Sequence, residues 1–135
     1  MNKTAIMVAA IAMGVVGLSG AASARPALKD VATVREGIIA TGMAYEITQK
    51  CGSISPRYFR AIGYLNTLKD HAKGLGYSES EIDAYTSDKA EENRLKVVAR
   101  ARLAELGVIA DDEDSYCAVG RAEMAKNSVV GQLIR

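Results

Sequence analysis

Beyond residue 24 the apolar side chains recur at three- to five-residue intervals and strict alternation is missing, the pattern of helices that each bury one face. Val31, Val34, Ile38, Met43 and Ile47 predict a first helix over about 31–50 with Asp30 as its cap, and Cys51-Gly52 as its stop. Gly37 and Gly42 each weaken that helix by about 1 kcal/mol unless they admit a close neighbour. Ser55-Pro56 offers a cap followed by proline at the first helical position, so a second helix is expected over about 56–73, with Tyr58, Phe59, Ile62, Leu65, Leu68 and Ala72 available for burial. Gly74-Leu75-Gly76 ends it. Ser78-Glu79-Ser80-Glu81 is a capping box for a short third helix near 79–86. Thr86-Ser87-Asp88 is cap-rich and offers another beginning, for a fourth helix over about 88–106 that carries Leu95, Val98, Ala99, Ala101, Leu103 and Leu106, with Gly107 as its C-terminal cap. Asp111 or Asp112 starts a fifth, to about 126, that turns Tyr116, Cys117 and Val119 to the core. Asn127-Ser128 restarts a terminal segment with Val129, Val130, Leu133 and Ile134. The expected fold is all-α, a small bundle of about four substantial helices plus short segments.

Residues 1–24 have a different layout: one positive charge at Lys3, an apolar or small-residue run from Ala5 to Leu18, and the small-residue ending Ala22-Ser23-Ala24. This is the arrangement of a secretory signal peptide, with cleavage expected after Ala24 and delivery to the periplasm. The run covers 14 residues, short of the roughly 20 that a membrane-spanning helix needs. The expected organisation is therefore a signal peptide over 1–24 and a single helical domain over 25–135, with no transmembrane span in the mature chain. Export favours disulfides, and Cys51 and Cys117 are the only two cysteines, so one intramolecular pair is expected. Closing that loop removes roughly 4 kcal/mol of unfolded-state entropy in the chain-entropy model.

Charge narrows the partners. Seventeen basic against sixteen acidic residues give +1, and loss of Lys3 with the leader leaves the mature chain balanced, which gives no electrostatic reason to expect nucleic acid. His71 is the single histidine, so a multi-histidine metal centre is excluded; its position late in the second helix suits a favourable helix-end charge. The serine-hydrolase elbow, the phosphate loop and the Cys-x-x-Cys redox motif are missing. The run Asp111-Asp112-Glu113-Asp114 lacks the calcium-loop layout and reads as a solvated helix start. No metal or cofactor is expected. A non-enzymatic binding, accessory or chaperone-like protein is the preferred reading, and a small envelope hydrolase using carboxylates or His71 is the alternative.

One local feature breaks the ordinary charge order. Arg57 and Arg60 occupy the first turn of the second helix, where the helix end is already positive, beside Tyr58 and Phe59. Either the helix end and the two guanidiniums hold an anion or a partner's carboxylate, or they pair with acids of another helix while Phe59 joins the core. Arg121, after a Gly120 suited to a close helix crossing, is a further candidate contact, and Tyr116 beside Cys117 reads as packing around the disulfide.

Cys51 with Ile54-Ser55-x-Arg57-Tyr58-Phe59-Arg60, then Leu65-Asn66, Gly76-Tyr77-Ser78, Ser115-Tyr116-Cys117 and Gly120-Arg121-Ala122-Glu123, resembles a family of small exported proteins of unknown function from Rhodobacter-like alphaproteobacteria. The resemblance covers most of the chain after the leader. It implies a periplasmic protein with an envelope partner, in the neighbourhood of a respiratory NADH dehydrogenase assembly, and it implies no particular reaction.

Overall fold

The computed structural model describes residues 25–135; the expected leader and its cleavage point after Ala24 lie outside the described residues. After a 3-10 turn at Leu28–Asp30 come α1 (Ala32–Lys50), α2 (Tyr58–Gly74), α3 (Glu79–Ser87), α4 (Lys89–Glu105), α5 (Glu113–Ala125) and the one-turn α6 (Val129–Gln132). The expected all-α architecture is present, with α1, α2, α4 and α5 as its substantial helices.

Four helices start where a side chain takes up amides that the helix leaves free. Ser78 Oγ accepts from Glu81 N–H at 3.1 Å while the Glu81 carboxylate accepts from Ser78 N–H at 2.7 Å, the expected reciprocal cap of α3. Asp88 Oδ1 accepts from the Ala90 and Glu91 amides, Asp112 Oδ1 from those of Asp114 and Ser115, and Ser128 Oγ from that of Gly131. Gly107, at φ 113°, carries the chain out of α4 in the left-handed region that favours glycine.

Two starts differ from expectation. Asp30 lies in the 3-10 turn, and Val31 takes the capping position of α1 without a side-chain bond. Pro56 is not the first residue of α2, because the chain around it is held extended by an antiparallel bridge to Ile134. Ser55 N–H donates to the Arg135 carbonyl at 2.7 Å, Arg135 N–H returns to the Ser55 carbonyl at 2.9 Å, and Arg57 N–H donates to the Leu133 carbonyl at 2.8 Å. Those long-range bonds delay the helix until Tyr58.

The central element is α1, which touches α2, α4, α5 and α6. Its Ile39, Met43, Ala44 and Ile47 form the main core with Leu95, Ala99 and Leu103 of α4, Tyr116, Cys117 and Val119 of α5, and Leu133 and Ile134 of the terminal segment. A smaller core joins Leu28, Val34, Ala72, Tyr77 and Ile82. Cys51 and Cys117 are disulfide-bonded, which fastens the end of α1 to the first half of α5. Both half-cystines and Tyr116 are buried in the main core. Gly120 supports the same junction: a β carbon there would stand 2.5 Å from Ile54 Cδ1 and 2.9 Å from Ile47 Cγ2, so the close crossing requires its absence. Gly37 plays a similar part against Leu68 and Tyr64.

Candidate functional site

The bridge between residues 55–57 and 133–135 fixes the geometry of the α2 N-terminus. Pro56, Arg57, Tyr58, Phe59, Arg60 and Arg135 surround a hollow of about 340 Å³. The first helical backbone bond of α2 runs from Ala61 N–H to the Arg57 carbonyl at 2.9 Å, and the amides of Tyr58, Phe59 and Arg60 have no acceptor among the described residues. Three free donors at a helix start carry partial positive charge, and the guanidiniums of Arg57 and Arg60 add to it.

Phe59 does not join the core: it is 93% exposed, and Tyr58 is 70% exposed. The reason is helical phase. Leu68 faces inward, and nine residues at about 100° each place Phe59 half a turn away from it. Ile62 at 56% and Leu65 at 41% extend the uncovered apolar surface down the helix. The pairing expected for the arginines is also not found. No carboxylate is in ion-pair contact with Arg57 or Arg60 among the described residues.

Several cations elsewhere are paired with carboxylates. Arg100 meets Glu46 at 2.9 Å and Arg102 meets Glu36, both tying α4 to α1. Glu79 lies between Lys69 and Lys73, which join α3 to α2 and hold its carboxyl down at about 2. Lys89 and Lys96 do the same to Glu92. Arg57 and Arg60, like Lys29, Lys50, Arg121 and Arg135, have no ion pair among the described residues; what distinguishes the two is their place in the first turn of α2 beside the exposed Phe59.

The remaining candidates are scattered. Arg121 is exposed on α5 and does not line the hollow. His71 is exposed in the last turn of α2, and its ring makes no hydrogen bond or ion pair among the described residues. The acidic run supplies the α5 cap through Asp112, while Glu113 accepts from Gly52 N–H at 3.0 Å. No group of three or more His, Cys, Asp or Glu residues among the described residues is placed to hold a metal ion, and no described helix is long and apolar enough to cross a membrane. Arg135, which completes the hollow, was not readable from local sequence because only the bridge brings it there.

Fold and surface together define a small, disulfide-closed, all-helical domain with an uncovered aromatic and cationic corner. The chain belongs to the Family of unknown function (DUF5333), whose family model matches residues 26–135. No curated protein and no solved structure matches it.

Proposed function

We propose that this chain works in the periplasm as a non-enzymatic binding or accessory protein that grips a partner protein through the α2 N-terminus. The observation that carries the reading is the nearly full exposure of Phe59 beside Arg57 and Arg60, neither of which has an acid of its own. Large exposed apolar residues gathered together mark interaction surfaces, and aromatics with arginine are the side chains that dominate binding energy. The partner segment is acidic and apolar: its carboxylates meet the two guanidiniums and the free amides, and its apolar side chains cover Phe59, Ile62 and Leu65. The leader pattern of residues 1–24 and the closed Cys51–Cys117 pair support the periplasmic setting. The family resemblance makes an envelope or respiratory-chain assembly the natural place to look.

The test is a photo-crosslinking amino acid at position 59, with position 97, also exposed, as the control. A discrete protein adduct from position 59, mapped by mass spectrometry to an acidic and apolar segment and lost in an Arg57→Glu, Arg60→Glu variant, is the expected result. Adducts only with lipid or with a second copy of the chain, adducts equally strong from position 97, or none at all, would overturn it.

A further inference from the structure

Of the 17 residues of α2 only Leu68 and Ala72 are buried, so most of the helix surface faces outward. At about 100° per residue, the stripe that points away from Leu68 runs through Phe59, Gly63, Asn66 and Asp70, all of them exposed. Tyr58, Ile62 and Leu65 border it on one side and Arg60 on the other. Phe59, Ile62, Gly63 and Asn66 stand at i, i+3, i+4 and i+7, the set of four that forms the hole for one side chain of a facing helix.

Gly63 gives that hole its floor. A β carbon on it would meet nothing within 4 Å, whereas the missing side chains of Gly37 and Gly120 admit neighbours from this same chain. Glycine inside a helix costs stability, and neither a positive φ nor a close neighbour requires it here. What its bare backbone permits is the close approach of a second helix. Charge is ordered along the stripe as well. Arg57 and Arg60 stand at its N-terminal end, where the free amides of the first turn are also positive. Asp70 stands three turns further on without an ion pair among the described residues, and Lys69 and Lys73 beside it are both held by Glu79. An antiparallel helix brings its C-terminal carbonyls, the negative end of its dipole, to the arginines; a parallel one sets like ends side by side.

We propose that the partner segment at the α2 corner is itself an α-helix, lying antiparallel along residues 59–70, with one large apolar side chain seated in the hole at Gly63 and acidic side chains of its last turn on Arg57 and Arg60. This rests on the partner contact already proposed for that corner and adds the partner's secondary structure, direction and seat. The stripe turns polar at Asn66 and Asp70, so the apolar grip is confined to the first two turns of α2. A contact that short depends on how closely the two helices approach at Gly63.

The experiment places the photo-crosslinker p-benzoylphenylalanine at position 59, 66 or 70 of the full chain in cells and maps each adduct on the partner by mass spectrometry. Positions 59 and 70 lie about 16 Å apart along the axis of α2. Their adducts should therefore fall about 11 residues apart on a helical partner and only about five apart on an extended one. The wider spacing is expected, with the adduct from 70 nearer the partner's N-terminus and that from 66 between the two. Gly63→Leu fills the hole and should cut the adduct yield from position 59 at least about fivefold. That variant should melt no lower than the wild type, since nothing of the fold stands within 4 Å of the added β carbon. Adducts about five residues apart, adducts in parallel order, none from position 70, an unchanged yield with Gly63→Leu, or a lower melting point of that variant would overturn this inference and leave the binding reading standing. No protein adduct from position 59, or adducts only with lipid or a second copy of the chain, would overturn both.

Discussion

Gly131 of α6 lies so close to Glu123 of α5 that a β carbon on it would stand 2.1 Å from the Glu123 carbonyl oxygen. Ser128 sits between the two helices, donating through Oγ to the Glu123 carboxylate at 2.5 Å and accepting from Gly131 N–H at 3.1 Å. The obstacle is backbone and cannot swing aside. Gly131→Ala should therefore cost about 3 kcal/mol, at the upper end of overpacking effects, measured by urea unfolding. It should also loosen the strap that carries Leu133 and Ile134 into the core; a loss under about 0.5 kcal/mol would show that the two helices part easily.

Other glycines predict opposite signs for the same substitution. Gly63 lies within α2 with nothing within 4 Å of a built β carbon, so Gly63→Ala should stabilise by about 0.5–1 kcal/mol through helix propensity. Gly120→Ala meets buried Ile54 and Ile47 and should destabilise by about 1–3 kcal/mol. Paired denaturation curves check both, and equal effects of the two changes would contradict the crossing described.

Removing the disulfide with Cys51→Ser, Cys117→Ser should lower stability by roughly 2–4 kcal/mol, and the melting temperature by roughly 10–20 °C for a domain of this size. The bond spans a sequence separation of 66 residues. Differential scanning calorimetry of the oxidised protein and the variant would read the difference directly, and coincident transitions would mean the core holds the junction alone.

Acid should weaken the fold within a defined window. Lys69 and Lys73 hold Glu79, and Lys89 and Lys96 hold Glu92, from the ordinary value near 4.5 down to about 2. Arg102 lowers Glu36 and Arg94 lowers Glu91; for Glu123 burial acts upward, but Lys126 and Ser128 outweigh it. A carboxyl with a lowered folded value binds fewer protons than in the unfolded chain, so its contribution is complete above about pH 4.5 and lost as pH falls towards 2. Circular-dichroism melts should thus be level from pH 7 to 5 and fall steadily below. Because Glu79 and Glu92 are exposed pairs, 1 M salt should flatten part of the decline. A melting point unchanged down to pH 2 would contradict the assignment.

Local chemistry was the legible part of this chain. Ser78, Asp88, Asp112 and Ser128 cap helices through bonds spanning two or three residues, and the only two cysteines left a single partner for each. Long-range pairing was not legible. The α2 start was misplaced because Ser55 and Arg57 are engaged by residues almost eighty positions away. Of the two accounts of Phe59, the core one fails, because its helical phase relative to Leu68 turns it outward.

The Cys51–Cys117 bond makes residues 51–117 a covalent ring that contains all of α2, α3 and α4. One peptide bond hydrolysed anywhere inside it leaves every atom of the chain still joined, apart from the water added. Such a nicked molecule would run as full-length protein on a non-reducing gel and separate into two pieces only when reduced, while a cut outside the ring would shed a fragment at once.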